Sequence, residues 1–166
     1  MSPATLTIRA AEPSDAPALS LVLCASIRTL CSADHRGDED AIARWTANKT
    51  PEHLAAWAED PRLRLFLADR DGDVAGVGCV STEAEVLLIY VSPDHRFCGV
   101  SRALLDHAEA TLAALGHQSA KLTSTITARR FYAANGWQID GAPVDDFGLE
   151  CRPMVKDIGS PAGPNG

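Results

Sequence analysis

No stretch of this sequence approaches the roughly 20 consecutive apolar residues that a membrane-spanning helix needs. The opening MSPATLTIRAAEPSDAP lacks a basic segment followed by an apolar one. It does not read as a secretory leader, and the expectation is a cytoplasmic protein with no membrane partner. Cysteine is scarce and odd in number: five residues, at 24, 31, 79, 98 and 151, with no C-x-x-C pair. That excludes a disulfide framework and a zinc knuckle and suits free thiols in a reducing compartment. Positive charge is also short. Fifteen Lys and Arg stand against 22 Asp and Glu, for a formal charge of −7, with no polybasic cluster, which argues against nucleic acid as the partner. There is no Gly-Lys-Ser/Thr phosphate loop, no nucleophile elbow and no Ser-His-Asp order. The acidic balance mildly favours a cationic small molecule or peptide as partner, although it serves solubility equally well.

What is present is a globular pattern, with 46% hydrophobic and 22% charged residues over 166 positions. We read one domain over residues 1–158 and a disordered Gly/Pro-rich tail over 159–166. TLTIRAA alternates as a first strand. A helix follows from EPSDAP onward, with Ser14 and Asp15 as candidate caps and Ala18, Leu21, Val22, Ala25 and Leu30 near helical spacing. CSADHRGDED reads as a polar loop and DEDAIARWTANK as a helical piece. TPEHLAAWAED is a helix capped by Thr50 with Pro51 at its first position. From residue 62 the period falls to two: RLRLFLAD and VAGVGCVSTE pair across a turn of Asp-Gly type. AEVLLIYV is a near-continuous apolar run, predicting a strand buried on both faces. A helix over about 99–115 carries Val100, Leu104, Ala108, Leu112 and Leu115 on one stripe and stops at Gly116. SAKLTST is a strand, TARRFYAANG a short helix, and WQIDGAP and GLECRPMVK two final strands. The fold class is therefore mixed α/β (α+β): a mostly antiparallel sheet of about six to seven strands flanked by helices.

The segment YVSPDHRFCGVSRALL joins a strand to a helix through a loop of small residues. The first turn of a helix exposes unpaired N–H groups and a partial positive charge, an arrangement that holds anions. Gly99 and Ser101 allow close approach, Arg96 adds a cation, and Pro93 ends the strand. On spacing alone, a phosphate or diphosphate cradle and an ordinary tight connection remain equally open.

The same residues resemble the acetyl-coenzyme A motif of the GNAT superfamily of N-acyltransferases: a strand ending V-x-P, then Q/R-x-x-G-x-G/A, then a helix. Here these read Val91-Ser92-Pro93 and Arg96-Phe97-Cys98-Gly99-Val100-Ser101. TARRFYAANGW (127–137) resembles the family's later block. Two positions depart from the pattern. Ser101 replaces the last Gly or Ala, and Thr125 stands where many relatives carry asparagine.

The resemblance implies an acetyl-CoA-dependent N-acetyltransferase. Its diphosphate would lie on the amides of Phe97, Cys98, Gly99, Val100, Ser101 and Arg102, with Arg96 and Thr125 nearby. The pantetheine would pair with Ile89, Tyr90 and Val91 like an added strand. The family splays its central strands at a bulge there. Glu85 is the candidate general base, with Glu83 and water as alternatives; at period two, Glu85, Leu87, Ile89 and Val91 would share one face. Tyr132 would be the acid that protonates the leaving thiol, and a backbone N–H near Val91 would stabilise the oxyanion. Cys98 is not placed as a nucleophile. The acceptor is expected among residues 26–60, where Asp34 and His35 are candidate contacts, against the plainer reading of a solvated acidic loop. Trp45 and Trp57 read as core residues that could line an aromatic pocket, and no metal site is expected. The acceptor would be the amine of a small molecule or peptide. Alternatives are a non-catalytic acyl-CoA sensor and a protein or aminoacyl-tRNA acetyltransferase. A homodimer is left open, since members of the family often pair through late strands.

Overall fold

The computed structural model describes residues 5–146 and 148–159. The expected tail, apart from Gly159, lies outside the described residues. Eight strands form the sheet: β1 (Leu6–Ala10), β2 (Leu63–Arg70), β3 (Asp73–Ser81), β4 (Glu85–Val91), β5 (Ser119–Ser124), β6 (Gln138–Ile139), β7 (Val144–Asp146) and β8 (Leu149–Asp157). Their order is β1-β2-β3-β4-β5-β8-β6, with β7 paired to β8. Every pairing is antiparallel except β4–β5, which is parallel. Among the described residues six α-helices flank the sheet: α1 (Ala16–Leu30), α2 (Ser32–His35), α3 (Glu39–Thr46), α4 (Pro51–Glu59), α5 (Val100–Ala114) and α6 (Ile126–Ala134).

The local chemistry explains most of these boundaries. Asp71 and Gly72 both have positive φ (54° and 92°), the geometry of a type I′ hairpin turn, so β2 and β3 meet as the Asp-Gly pair predicts. Thr50 accepts a hydrogen bond from His53 N and caps α4. At the end of α5, His117 N reaches Leu112 O and Gly116 N reaches Ala113 O. With Gly116 at φ 97°, this is a Schellman cap. α6 closes in the same way, through Trp137 N to Tyr132 O and Gly136 N to Ala133 O.

Three expectations need correction. α1 does not bury Ala18, Leu21 and Ala25, which are exposed; it buries Ala16, Leu19, Leu23, Ser26 and Ile27. Leu19, Leu23 and Ile27 are spaced i, i+4, i+8 and set the true stripe. CSADHRGDED is not all loop, because it contains the single turn α2. WQIDGAP yields only the two-residue β6, while β7, which the sequence reading did not foresee, forms a hairpin with β8.

The sheet separates two cores. Phe66, Val80, Val86, Leu104, Leu105 and Leu112 pack on the side of α5 and α6. Leu19, Leu23, Leu54, Leu65, Leu67 and Val77 pack on the side of α1 and α4. β2 and β3 are therefore buried on both faces at mid-strand. A smaller cluster around Ile27, Trp45, Leu149 and Cys151 closes one end.

Candidate active site

β4 is the strand that departs from sequence expectation. Leu87 is 44% exposed, and Ile89, Tyr90 and Val91 are only half-buried. The reason is the neighbour. β4 pairs with β5 only at Glu85–Lys121, and Lys121 N reaches Ala84 O at 3.0 Å. Beyond that point the parallel strands part. The edge of β4 that would face β5 keeps no strand partner from Val86 onward, so its backbone polar groups are directed into a cleft.

A bulge sits at the parting. Pairing with β3 runs Val80–Val86 and then Cys79–Leu88, which leaves Leu87 as the extra residue. A bulge reverses the inward–outward alternation. Val86, Ile89 and Val91 consequently lie on the α5 side, whereas Leu88 and Tyr90 lie on the α1–α4 side. The period-two argument that put Glu85 on one face with Ile89 and Val91 therefore fails: Glu85 stands opposite Val86 in the alternation. It lines a separate chamber rather than the main cleft.

The main cleft has a volume of about 360 Å³. One wall is β4 from Val86 to Val91, and the other is β5 and α6, through Leu122, Thr123, Ser124, Thr125, Phe131 and Tyr132. Arg96, Phe97 and Ser101 stand at its mouth. The first hydrogen bond of α5 runs from Ala103 N to Gly99 O, so the N–H groups of Val100, Ser101 and Arg102 have no intrahelical acceptor. Gly99 caps this end at φ 78°, and a Cβ added there would meet nothing within 4 Å. The cradle is open to an incoming group. Phe97, also at positive φ (61°), is 92% exposed, and the Arg96 guanidinium lies 4.7 Å from its ring centroid. The Cys98 thiol donates to Arg96 O. Arg102 pairs with Asp106 along the helix.

On the opposite wall, Thr125 lines the cleft while capping α6 through Ala128 N. Tyr132 is 6% exposed and packs edge-on against Trp137, with ring centroids 6.0 Å apart. Burial pushes its phenol pKa upward, as it does for Tyr90, whose ring is edge-on to Trp45 at 6.5 Å.

A chamber of about 320 Å³ lies past the bulge, lined by Trp57, Leu63, Leu87, Leu88, Glu85, Lys49 and Asp146 among others. A smaller recess of about 70 Å³ adjoins Trp45, Lys49, Tyr90 and Asp146. Leu87, Leu88 and Thr123 border all three spaces, so the bulge joins the long cleft to the chamber. Lys49 is buried, and its Nζ donates to Trp45 O at 3.2 Å and to Asn48 Oδ1 at 2.7 Å. Desolvation lowers its pKa to about 8, with Asp146 opposing the shift.

The two expected acceptor contacts lie elsewhere. Asp34 accepts from Ile126 N at 2.7 Å and Thr127 N at 3.1 Å, and from the Thr127 hydroxyl; it ties α2 to the start of α6. His35 is buried, with Nδ1 accepting from Gly37 N and Nε2 2.9 Å from Ile27 O. Through these contacts it braces the α1–α2 corner. Neither residue lines the cleft or the chambers. Lys49 and Asp146 escaped sequence reasoning because nothing local marks a lone lysine after α3 or one aspartate in a polar hairpin. Leu87 escaped because an exposed leucine in an apolar run looks like core. Among the described residues no group of three or more His, Cys, Asp or Glu is arranged to hold a metal ion, and no helix is long and apolar enough to cross a membrane.

Comparison with known proteins now bears on this cleft. A family model described as an acetyltransferase (GNAT) domain matches residues 33–158. The chain belongs to the GNAT acetyltransferase family. Solved GNAT structures share its fold. A GCN5-related N-acetyltransferase from Rhodopseudomonas palustris aligns with a TM-score of 0.82 at 24% identity, over 92% of this chain and 96% of that one. The PaiA N-acetyltransferase of Thermoplasma acidophilum, solved with coenzyme A, aligns at 0.75 and 20% identity, over 92% and 99%. The ribosomal-protein-S18-alanine N-acetyltransferase of Escherichia coli aligns at 0.68 and 22% identity, over 97% and 98%. At these identities the likeness establishes the fold alone. No curated protein matches the chain by sequence. This GNAT protein is thus an acetyltransferase whose acceptor the comparisons leave unnamed.

Proposed function

We propose that this GNAT acetyltransferase moves the acetyl group of acetyl-CoA directly to a primary amine held in the chamber beyond Leu87. One observation carries the reading: a bulged, half-unpaired β4 separates an elongated cleft, with a helix N-terminus at its mouth, from a second chamber holding a carboxylate. Such a division suits a long, anionic acyl donor on one side and an acceptor on the other. The PaiA relative solved with coenzyme A supports the choice of donor.

In this reading the diphosphate lies on the amides of residues 97–102, close to Arg96. The pantetheine amides pair with the vacant edge of β4 at Ile89, Tyr90 and Val91, and Thr125 contacts the donor from the facing wall. The thioester then reaches the bulge, where free backbone N–H groups receive the developing oxyanion. An alkyl amine has a pKa of about 10.4 and arrives protonated. Glu85, in the acceptor chamber, takes its proton directly or through water. The neutral nitrogen attacks the carbonyl, the tetrahedral adduct gives its second N–H proton to water, and the C–S bond breaks. Tyr132, kept protonated by burial, donates its O–H to the leaving sulfur and regains a proton from that water.

Thiol release from acetyl-CoA in the presence of amines tests the reading. Glu85→Gln should lower kcat at least about 10-fold at neutral pH. The deficit should narrow toward pH 10, where the amine sheds its proton unaided. A wild-type rate in Glu85→Gln would remove the base from the scheme.

A further inference from the structure

We infer that the acceptor is a small monoamine on an apolar or aromatic body, neither a polyamine nor a free amino acid. The inference rests on the proposed function and concerns the same site. The chamber of about 320 Å³ presents three charged side chains, one from each of three segments: Glu85 from β4, Asp146 from β7 and Lys49 from the turn after α3. Two carboxylates and one ammonium leave a single net negative charge. A monocation neutralises that balance on binding. A dication would overshoot it and bring its second charge toward a fixed ammonium. A zwitterion would leave the negative charge uncompensated and add a carboxylate beside Glu85 and Asp146. Like charges held together in a partly desolvated space are strongly disfavoured.

Lys49 cannot swing away to relieve such a clash, because Trp45 O and Asn48 Oδ1 hold its Nζ and the side chain is buried. Much of the rest of the wall is apolar, with Trp57, Leu63, Leu87 and Leu88, and its uncharged polar side chains are Asn48, whose Oδ1 already accepts from Lys49 Nζ, and Thr123. The apolar surfaces offer dispersion contact and no partner for a second polar head. At about 30 Å³ per water, the space is worth about ten waters, which leaves room for an amine of phenylethylamine size.

The test compares 2-phenylethylamine, 1,5-diaminopentane and phenylalanine as acceptors by thiol release, with coenzyme A affinity measured separately by calorimetry. The monoamine should exceed both others in kcat/KM by at least about 10-fold. Lys49→Met should shrink the gap to the diamine by about 10-fold. Asp146→Asn, in an exposed hairpin where folding is not at stake, should raise the monoamine KM several-fold and leave coenzyme A affinity unchanged. A diamine or amino acid that matches or beats the monoamine overturns the inference and leaves the proposed function standing. Coenzyme A binding without turnover of any of the three also overturns it. Absence of coenzyme A binding overturns the proposed function, and this inference with it.

Discussion

At the scale of single residues, two side chains and one glycine carry the predictions. Gly99 occupies a left-handed conformation at the head of α5. Gly99→Glu would add backbone strain of about 1 kcal/mol and set a carboxylate against the diphosphate. Calorimetry should show coenzyme A affinity falling at least about 100-fold, with only a modest drop in Tm. Tyr132→Phe keeps the packing against Trp137 and removes the hydroxyl. It should lower kcat by about 100-fold, within the range for lost proton donation, with coenzyme A affinity little changed. Lys49 gives a pH signature. Burial lowers its folded pKa from the ordinary lysine value of 10.5 to about 8, so between those two values the unfolded chain binds more protons than the folded one. Stability attributable to Lys49 therefore rises with pH across that window, and the protonated lysine is a burden below it. Lys49→Met should raise stability by about 1–3 kcal/mol at pH 7, and urea titrations should show that advantage shrinking as pH climbs from 8 toward 10.5.

At the scale of elements, the helices and the hairpin were legible and the bulge was not. Thr50-Pro51, Asp71-Gly72 and Gly116 announce their turns through local chemistry that tertiary packing does not override. α1 was found but rotated, because Ala18 and Leu21 compete with Leu19 and Leu23 for the buried stripe, and only the partner surface decides. β4 was found with its faces wrong. EVLLIYV carries no mark of the extra residue at Leu87, since that residue is defined by pairing with β3. The motif loop and Tyr132 are visible through family resemblance, whereas Lys49 and Asp146 arrive in the chamber from the turn after α3 and from β7 by topology alone. α6 depends on a residue remote in sequence: Asp34 caps its first turn through two backbone amides. Asp34→Ala should destabilise by about 1–2 kcal/mol. It should also weaken coenzyme A binding several-fold, since Thr125 immediately precedes that turn. Thermal melts and calorimetry on one preparation read both effects.

At the scale of the whole molecule, the sheet is built to be opened in one place. β1–β2, β2–β3, β3–β4 and β5–β8 pair over five to eight residues, and Glu109 fastens α5 to the late strands by accepting from Trp137 Nε1 and Lys156 Nζ. The single parallel junction, β4–β5, is held at one end and open along the rest, so the cleft exists before any ligand arrives. A crystal structure grown with acetyl-CoA tests this most directly. The account predicts the diphosphate on the amides of residues 97–102, the pantetheine along Ile89–Val91 and the thioester carbonyl beside Leu87, within reach of Tyr132. A donor bound on any other surface, or a β4–β5 cleft that stays closed to it at saturating concentration, would contradict it.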